Sequence, residues 1–449
     1  MVLLCSLSLP KQSLGSQNPG GQRMKKSQKI MIRVLLAAAV AIPTLYSTSN
    51  VSASVVSPKA GAACDKAGDA NGVLFCETKD GKLVWADNQL KPGVYKIGVE
   101  NLLSGPSAFA GVPMSKGMRK ALDEINASGF LGKGVKLQVI ERDSAGSIAT
   151  ALGAMNEFAA EKVSGVICCS LSSMAAAIGK VAEEKKIPIV IEAAVLPGLT
   201  RPPYITRTVF MTGATNGIQW QSAQLMAKAI GAKSVAIPVN NDNQGMATDG
   251  VMYTAALKAA GVTTILDIKT PATDTDITGV ASQIIAANPD MVIPAMLGGP
   301  ASRLVKALRD RGYKGRIVGN YGLSDQTNFA IAGASLSGVM MPVFFYAEAP
   351  VNKAAKDLIK WWKLNNNGQL PSAYPAMGYT ATYYLATAIK NSGDGSAENV
   401  AKALQKIGRM ETVFGQVKFT GGQLAMAKSL KPTFITWTES GKQVVWNGK

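Results

Sequence analysis

The stretch GVICCSLSSMAAAIGKVAEEKKIPIVIEA, residues 165–193, decides the fold class. An apolar strand is followed by polar serines, by a helical pattern with apolar residues three and four positions apart, and by a second apolar strand. Both strands are apolar at successive positions, which is typical of strands that are covered on both faces. The stretch therefore predicts one strand–helix–strand unit of a parallel sheet.

The same alternation extends from Val94 over more than 300 residues. YKIGVEN, GMRKALDEINASG and VKLQVIERD precede the opening stretch as strand, helix and strand, and a second series runs from QWQSAQLMAKAIG to GRIVGNY. Alternating strands and helices with short connections predict parallel sheets flanked by helices on both faces. Two such series in succession predict two α/β lobes.

Composition argues against catalysis. The chain of 449 residues contains no histidine, which excludes Ser–His and Cys–His nucleophile pairs and most zinc sites. The phosphate-binding, dinucleotide-binding and nucleophile-elbow signatures are missing as well. We therefore expect no enzyme activity, no cofactor and no metal. The net charge of +18 comes from scattered basic residues, so we expect no nucleic-acid partner.

The N-terminal region has the pattern of a secretory signal. From Met24 a basic segment is followed by an apolar stretch and by the small residues VSA at 51–53. The apolar stretch is shorter than the ~20 residues that a membrane span needs. We predict a signal peptide over residues 1–53, of which 1–23 are an over-extended gene start, and an extracytoplasmic location in the secreted, cell-envelope or periplasmic space after cleavage.

Four cysteines follow the predicted signal. Residues 54–93 are polar and turn-rich and indicate a linker or a small module, in which Cys64 and Cys76 flank a glycine-rich turn with a spacing that suits a disulfide. Cys168 and Cys169 lie in an apolar strand and lack the spacing of a redox C-x-x-C motif. We interpret this second pair as small buried hydrophobic residues rather than as a redox pair.

Three strand-to-helix loops indicate a binding site. NLLSGPSAFAG (101–111), SLSSM (170–174) and EAAVLPG (192–198) follow predicted strands, and ligands of open parallel sheets lie beyond the carboxyl ends of the strands. Ser172 or Ser173 falls where a helix begins, so backbone N–H groups and a hydroxyl can hold an anion. The alternative is a serine that only caps its helix.

Together, the motifs VENLLSGPSAFAG, INASGFLGKGVKL and DSAG and the serine loop before IPIVIEAAVLPGLT resemble the branched-chain amino-acid (Leu/Ile/Val) type of periplasmic binding protein, type I, over about residues 94–445. The resemblance implies two Rossmann-like lobes joined by a three-crossing hinge. It implies a monomer that captures a small molecule and delivers it to the membrane permease subunits of an ABC importer. The expected segments are 94–212 plus 342–409 for lobe 1 and 213–341 plus 410–449 for lobe 2.

The resemblance also implies the ligand contacts. The carboxylate of an amino acid would be held by Ser172, Ala193 and Val195, the last through its N–H alone because the family has threonine there. The resemblance implies aromatic residues near Ala110, Gly245 and Leu297, but these exact positions have none. We expect other aromatic residues to form the apolar pocket instead, namely Phe109, Tyr321, Phe345 and Tyr346. The predicted ligand-binding residues are Phe109, Ser172, Ser173, Glu192, Ala193, Val195, Leu297 and Tyr321.

The resemblance implies an acidic residue that binds the ammonium group of the ligand. Tyr321 occupies that position, and it carries no carboxylate. Three interpretations remain open. Glu192 replaces the lost acid and the ligand is an amino acid; the ligand has no ammonium and is an aromatic or aliphatic acid or an amide; or Glu192 forms a surface ion pair with Lys185 or Lys186.

Two alternatives to a transport function belong to other classes. A sensory ligand-binding domain of the same fold would need a fused signalling segment or a cytoplasmic partner. A secreted serine hydrolase would use Ser172 with Lys180 or Tyr321, but it lacks both a histidine and an elbow motif.

Overall fold

A computed structural model describes most of the chain after residue 57. The described residues are 58–67, 70–71, 74–87, 90–194, 196, 198–199, 209–211, 217–420, 423–424 and 432–447. The predicted signal peptide, Val195 and the predicted lobe boundary at 212/213 lie outside them. Within the described ranges, no helix is both long enough and apolar enough to cross a membrane.

Strands and helices alternate over most of this length. The strands are β1 (Ala70–Asn71), β2 (Leu74–Lys79), β3 (Lys82–Asp87), β4 (Gly93–Asn101), β5 (Val135–Asp143), β6 (Val166–Cys168), β7 (Ile189–Ile191), β8 (Val209–Met211), β9 (Ser234–Asn240), β10 (Thr263–Thr270), β11 (Met291–Val292), β12 (Arg316–Ile317), β13 (Met341–Val343), β14 (Arg409–Thr412), β15 (Gly415–Thr420), β16 (Gln423–Leu424), β17 (Thr433–Trp437) and β18 (Gln443–Val445). The helices are α1 (Ala108–Ser128), α2 (Ile148–Ala160), α3 (Ser172–Lys185), α4 (Gly217–Ile230), α5 (Gln244–Ala259), α6 (Thr278–Ala287), α7 (Gly298–Asp310), α8 (Gln326–Ala332), α9 (Lys353–Asn365), α10 (Ala373–Asn391) and α11 (Ala397–Lys406).

A small antiparallel sheet, β1-β2-β3, precedes the lobes. Asp80 and Gly81 connect β2 to β3, and both have positive φ angles, 51° and 76°, as a type I′ hairpin turn requires. Cys64 is bonded to Cys76, with the two Cα atoms 5.9 Å apart. The segment predicted as a linker or small module is therefore a stapled hairpin module in the structure.

The first lobe is built on an eight-stranded sheet in the order β14-β15-β16-β8-β7-β6-β4-β5. Its strands β4 to β8 are parallel. Val166 and Cys168 pack in one apolar cluster with α2 and α3, whereas Ile167, which points the other way, packs in a second cluster with α1 and α10. Because both faces are covered, the strands are apolar at successive positions.

One predicted lobe boundary differs from the structure. The sequence division places residues 410–449 in the second lobe, but β14, β15 and β16 belong to the sheet of the first lobe. β16 pairs in parallel with β8, and β15 pairs with both β14 and β16. The chain therefore returns to the second lobe after β16, where β17 pairs with β13.

The second lobe contains the parallel sheet β10-β9-β11-β12. Helices α4 and α5 pack on one face and α6 and α7 on the other. The antiparallel strands β13, β17 and β18 extend this lobe, and a bridge between Val318 and Met340 connects them to the end of β12. Both lobes thus have the predicted layers, with strand-to-helix loops at the carboxyl ends of their sheets.

Helices α1 and α10 cross closely in the first lobe because glycines occupy the crossing. A Cβ atom on Gly117 would lie 2.0 Å from the carbonyl oxygen of Pro375, and one on Gly378 would lie 2.3 Å from that of Met114. Real side chains do not tolerate these distances. The crossing fixes the start of α10, which carries Tyr374 into the site described next.

Candidate functional site

The carboxyl ends of both parallel sheets face one cleft between the lobes. The cleft has a cavity volume of about 60 Å³ in this structure, less than the roughly 300–1,000 Å³ of pockets that hold small molecules. Its lining residues are Ser107, Phe109, Ala110, Ser170, Leu171, Ser172, Ala193, Gln219, Asn243, Gly245, Met246, Asp249, Met296, Leu297, Gly298, Asn320, Tyr321, Gly322 and Tyr374. All three loops that the sequence singled out contribute to this lining.

The start of α3 forms the polar part of the first lobe's wall. Ser172 is the first residue of the helix and is buried. The N-cap position is occupied by Leu171, which makes no side-chain cap, and the anion-binding role of Ser172 stays a prediction. Backbone N–H groups of a first helical turn, together with a hydroxyl, form an arrangement that binds anions. Ala193, just beyond β7, lines the cleft beside them.

The starts of α5 and α7 and the turn after β12 form the opposite wall. Asn243 caps α5, its side chain accepting a hydrogen bond from the N–H of Met246 at 3.0 Å. Asn320 accepts a hydrogen bond from the N–H of Gly322 at 2.9 Å and donates one to the carbonyl of Met296 at 2.8 Å. These bonds fix the loops, so this wall is rigid and polar near the backbone.

Asp249 is the acidic residue of that wall, and sequence reasoning missed it. Its side chain is buried in the second turn of α5, where its Oδ1 accepts a hydrogen bond from the indole N–H of Trp220 at 3.1 Å. Burial raises the pKa of Asp249 to about 7. The sequence places Asp249 in a helix that follows a parallel strand, and this position is the feature that could have indicated a site residue. Acidic residues on solvent-facing helices have the same position, so the sequence alone did not single it out.

Aromatic rings close one side of the cleft. Tyr374 makes edge contacts with Phe109 and Tyr321, with ring centroids 5.9 Å and 6.0 Å apart. Burial raises the pKa of Tyr321 well above its usual value, so its phenol is neutral. Phe345 and Tyr346, which were expected to help form the pocket, do not line the cleft. Tyr374 lines it instead.

The structure brings together most of the predicted site residues. Those that line the cleft are Phe109, Ser172, Ala193, Leu297 and Tyr321. Ser173 and Glu192 do not line it, and Val195 lies outside the described residues. Whether the lining residues contact a ligand stays a prediction.

Glu192 lies behind the wall rather than in it. Its side chain has no exposed surface, and its Oε1 accepts a hydrogen bond from the hydroxyl of Ser170 at 3.2 Å. The interpretation of Glu192 as part of a surface ion pair is therefore wrong, because a fully buried carboxyl cannot meet the exposed Lys185 and Lys186. Burial, with a contribution from nearby Glu100, raises the pKa of Glu192 to about 8.

A second buried carboxyl and a disulfide lie beneath the serine loop. Glu100 accepts a hydrogen bond from the hydroxyl of Ser144 at 2.5 Å, and burial raises its pKa to about 7. Cys168 and Cys169 are bonded to each other, so the interpretation of these residues as two separate apolar side chains is wrong, although both are buried as expected. A disulfide has no thiolate to offer a metal.

Two parallel α/β lobes with a lined cleft between them define a two-lobed binding protein. Comparison identifies the family: the chain belongs to the periplasmic binding protein family, whose sequence profile matches residues 94–430. The predicted family and the predicted fold class are therefore confirmed.

Among curated relatives, Leu/Ile/Val-binding protein homolog 1 of Brucella abortus is 26% identical over 345 residues, which cover 76% of this chain and 88% of the relative. The Leu/Ile/Val-binding protein BraC3 of Rhizobium johnstonii is 27% identical over 356 residues, which cover 78% of this chain and 92% of the relative. The chain thus matches these relatives over most of their length.

Solved structures share the fold. The branched-chain amino-acid transporter substrate-binding protein of Streptococcus pneumoniae, in complex with isoleucine, has a TM-score of 0.69 and 22% identity, covering 79% of this chain and 99% of that one. An ABC transporter solute-binding protein of R. palustris, in complex with benzoate, has a TM-score of 0.69 and 21% identity, covering 79% and 95%. The same architecture therefore holds ligands with and without an ammonium group.

Proposed function

We propose that this protein is the extracytoplasmic solute-binding component of an ABC importer of the branched-chain amino-acid type, and that it captures a small carboxylate between its two lobes. The observation that carries the proposal is the position of Ser172. Its hydroxyl and the first turn of α3 lie in a cleft whose other wall is formed by the second lobe.

Neutral dipoles would hold the carboxylate in this site. In the described part of the chain, no lysine or arginine lines the cleft, so the anion depends on hydrogen bonds from the hydroxyl of Ser172 and from N–H groups at the start of α3 and near Ala193. Hydrogen bonds to a charged group contribute roughly 1.5–3 kcal/mol each. The apolar rest of the ligand would pack against Phe109, Tyr321 and Leu297.

Capture couples binding to lobe closure. A ligand that touches both walls binds the closed arrangement more tightly than the open one and shifts the population toward it. The closed form would then be recognised by the membrane permease subunits. A monomer released by cleavage of the signal peptide over residues 1–53 is sufficient for this cycle.

Hydrolysis by Ser172 has less support. Lys180 lies eight residues further along α3, about 12 Å along the helix axis, and is exposed. Burial raises the pKa of Tyr321, so its phenol stays protonated and cannot take a proton from the serine. Neither group is therefore placed and charged to activate the serine.

Calorimetric titration against a panel tests the proposal. The panel contains leucine-like amino acids, their deaminated acids, benzoate-like acids, short amides and a neutral sugar as control. We expect micromolar or tighter binding of at least one carboxylate class and no binding of the sugar. Failure of every carboxylate to bind, or turnover of model esters and amides that is lost in Ser172→Ala, would overturn the proposal.

A further inference from the structure

Cys169, between β6 and the serine loop (residues 170–174), has an unusual backbone conformation. Seven non-glycine residues in the described part of the chain have a positive φ angle, and six of these angles lie between 46° and 55°, close to the left-handed helical region. The φ angle of Cys169 is 94°, outside that region. A residue with a side chain holds such a conformation only where the surrounding structure imposes it. Some feature of the structure therefore constrains the backbone just before the serine loop.

The disulfide between Cys168 and Cys169 supplies a constraint at this point. The two residues are adjacent in the chain, so the bond between their sulfur atoms closes a small ring that contains the peptide group between them. Within such a ring, the ψ angle of Cys168 and the φ angle of Cys169 cannot change independently. Both side chains are fully buried, in an apolar cluster that also contains Met174 and Ala194. The bond therefore restricts the direction in which the chain leaves β6.

The chain that follows this ring forms the first lobe's wall of the cleft. Residues 170–172 line the cleft directly after Cys169. The carbonyl of Cys169 accepts a hydrogen bond from the N–H of Ala194 at 3.0 Å, and the neighbouring Ala193 lines the cleft as well. The disulfide thus connects to both loops that supply the hydroxyl and the N–H groups of the proposed carboxylate site.

We propose that the Cys168–Cys169 disulfide positions the serine loop for the ligand carboxylate, and that without this bond the loop takes up other conformations and the ligand binds less tightly. This inference rests on the proposed function and deepens it. It makes the two cysteines positioning residues, because neither of them lines the cleft.

Preorganisation of the loop gives the expected effect its direction. A loop that is already fixed in its binding conformation loses little conformational freedom when the ligand arrives. A loop that has this conformation for only a fraction of the time lowers the apparent affinity by that fraction. Positive φ angles are disfavoured in alanine and readily adopted by glycine. Substitutions at Cys169 can therefore remove the bond and either keep or lose access to the observed backbone conformation.

Two double variants test the inference by calorimetry with whichever of leucine, 4-methylpentanoate and benzoate binds the wild type most tightly. Cys168→Ala/Cys169→Ala removes the bond and introduces a residue that avoids positive φ, so we expect affinity to fall about tenfold. Cys168→Ala/Cys169→Gly removes the same bond but adopts positive φ readily, so the loss should be only about threefold. A role in packing alone would give the opposite order, because glycine leaves the larger cavity.

Hydrogen–deuterium exchange of the ligand-free proteins gives a second measurement. Exchange should be faster at the start of α3 in both variants than in the wild type and unchanged at β9 in the second lobe, and the glycine variant decides this point if the alanine variant does not fold. Cys64→Ala/Cys76→Ala, which removes the disulfide of the hairpin module, is the control and should change neither the affinity nor the exchange at α3.

Three results would overturn the inference while leaving the proposed function intact. They are free thiols at Cys168 and Cys169 in the denatured wild type, equal affinities and equal exchange in the wild type and the two variants, and a weaker affinity of the glycine variant than of the alanine variant. If none of the three acids binds the wild-type protein, the inference and the proposed function both fail.

Discussion

Gly245, at the start of α5 in the second lobe, faces the hydroxyl of Ser172, at the start of α3 in the first lobe, across a gap in which a side chain would be tightly packed. A Cβ on Gly245 would lie 3.1 Å from the serine oxygen and 3.2 Å from the side-chain oxygen of Asn243. The two walls of the cleft therefore meet at a glycine, and this glycine allows the lobes to come as close as they do.

Gly245→Ala should weaken ligand binding without lowering stability. The added methyl group must displace Ser172 or Asn243 each time the lobes close, and overpacking of this kind costs about 1–3 kcal/mol, which corresponds to roughly 5- to 150-fold in affinity. Gly245 lies in the first turn of α5, where replacement of glycine by alanine carries no penalty in helix propensity. Titration calorimetry and thermal unfolding measure the two effects separately.

Gly279→Ala in α6 is the matched control, because its added methyl group meets nothing within 4 Å. It should leave affinity unchanged. Equal affinities for wild type and Gly245→Ala would show that the observed approach of the lobes is not the binding-competent one.

Ser172→Ala should reduce affinity for small carboxylates about 10- to 100-fold, because it removes one hydrogen bond to a charged group, worth roughly 1.5–3 kcal/mol. Ser173→Ala removes a hydroxyl from the neighbouring residue, which does not line the cleft. It should change affinity less than threefold. A larger effect of Ser173→Ala than of Ser172→Ala would reverse the assignment of the anion-binding hydroxyl.

Glu192 should make stability fall as the pH rises. Its pKa is raised from 4.5 to about 8 in the folded protein, so between these values the folded chain keeps a proton that the unfolded chain has released. The free energy of unfolding then decreases with pH by up to about 1.4 kcal/mol per pH unit for this group, over the window from about 4.5 to 8.

Glu192→Gln should flatten this part of the stability curve, because glutamine is neutral at every pH and can still accept the hydrogen bond from Ser170. Glu184→Gln, on the exposed face of α3, is the control and should keep the slope. Denaturant unfolding at pH 5, 6, 7 and 8 measures the slope of the free energy of unfolding against pH. Identical slopes in wild type and Glu192→Gln would contradict the assignment of a proton to the buried carboxyl.

Gly117→Ala should destabilise the first lobe by several kcal/mol, because its methyl group would overlap the carbonyl oxygen of Pro375 in α10. Gly153→Ala in α2 has no atom within 4 Å of the added methyl group and should be neutral or slightly stabilising. Thermal unfolding distinguishes them, and similar midpoints for both variants would contradict the close crossing of α1 and α10.

The fold was largely predictable because its signal is local. Strands such as VIC at β6 and IVI at β7 are apolar at every position. The helix between them has apolar residues three and four positions apart, so the order of strands and helices follows from the sequence. The return of β14, β15 and β16 to the first sheet was not predictable. These strands pair with each other and with β8, some 200 residues earlier in the chain, and no local pattern indicates the partner.

The site was predictable on one wall only. Ser172 and Ala193 follow buried strands directly, and their position at the carboxyl ends of a parallel sheet places them in a cleft. Asp249 lies in the second turn of a helix, and only the meeting of the lobes makes it part of the lining. Glu192 was placed in the cleft because it ends a strand, but side chains alternate along a strand, and this one points into the lobe.

The most direct test of capture between the lobes is a crystal structure of the protein with the tightest ligand of the panel. We expect one ligand in the cleft, with a carboxylate oxygen within about 3 Å of the hydroxyl of Ser172 and the rest of the molecule touching residues of both lobes. A carboxylate bound away from α3, or a ligand held by one lobe alone, would contradict it.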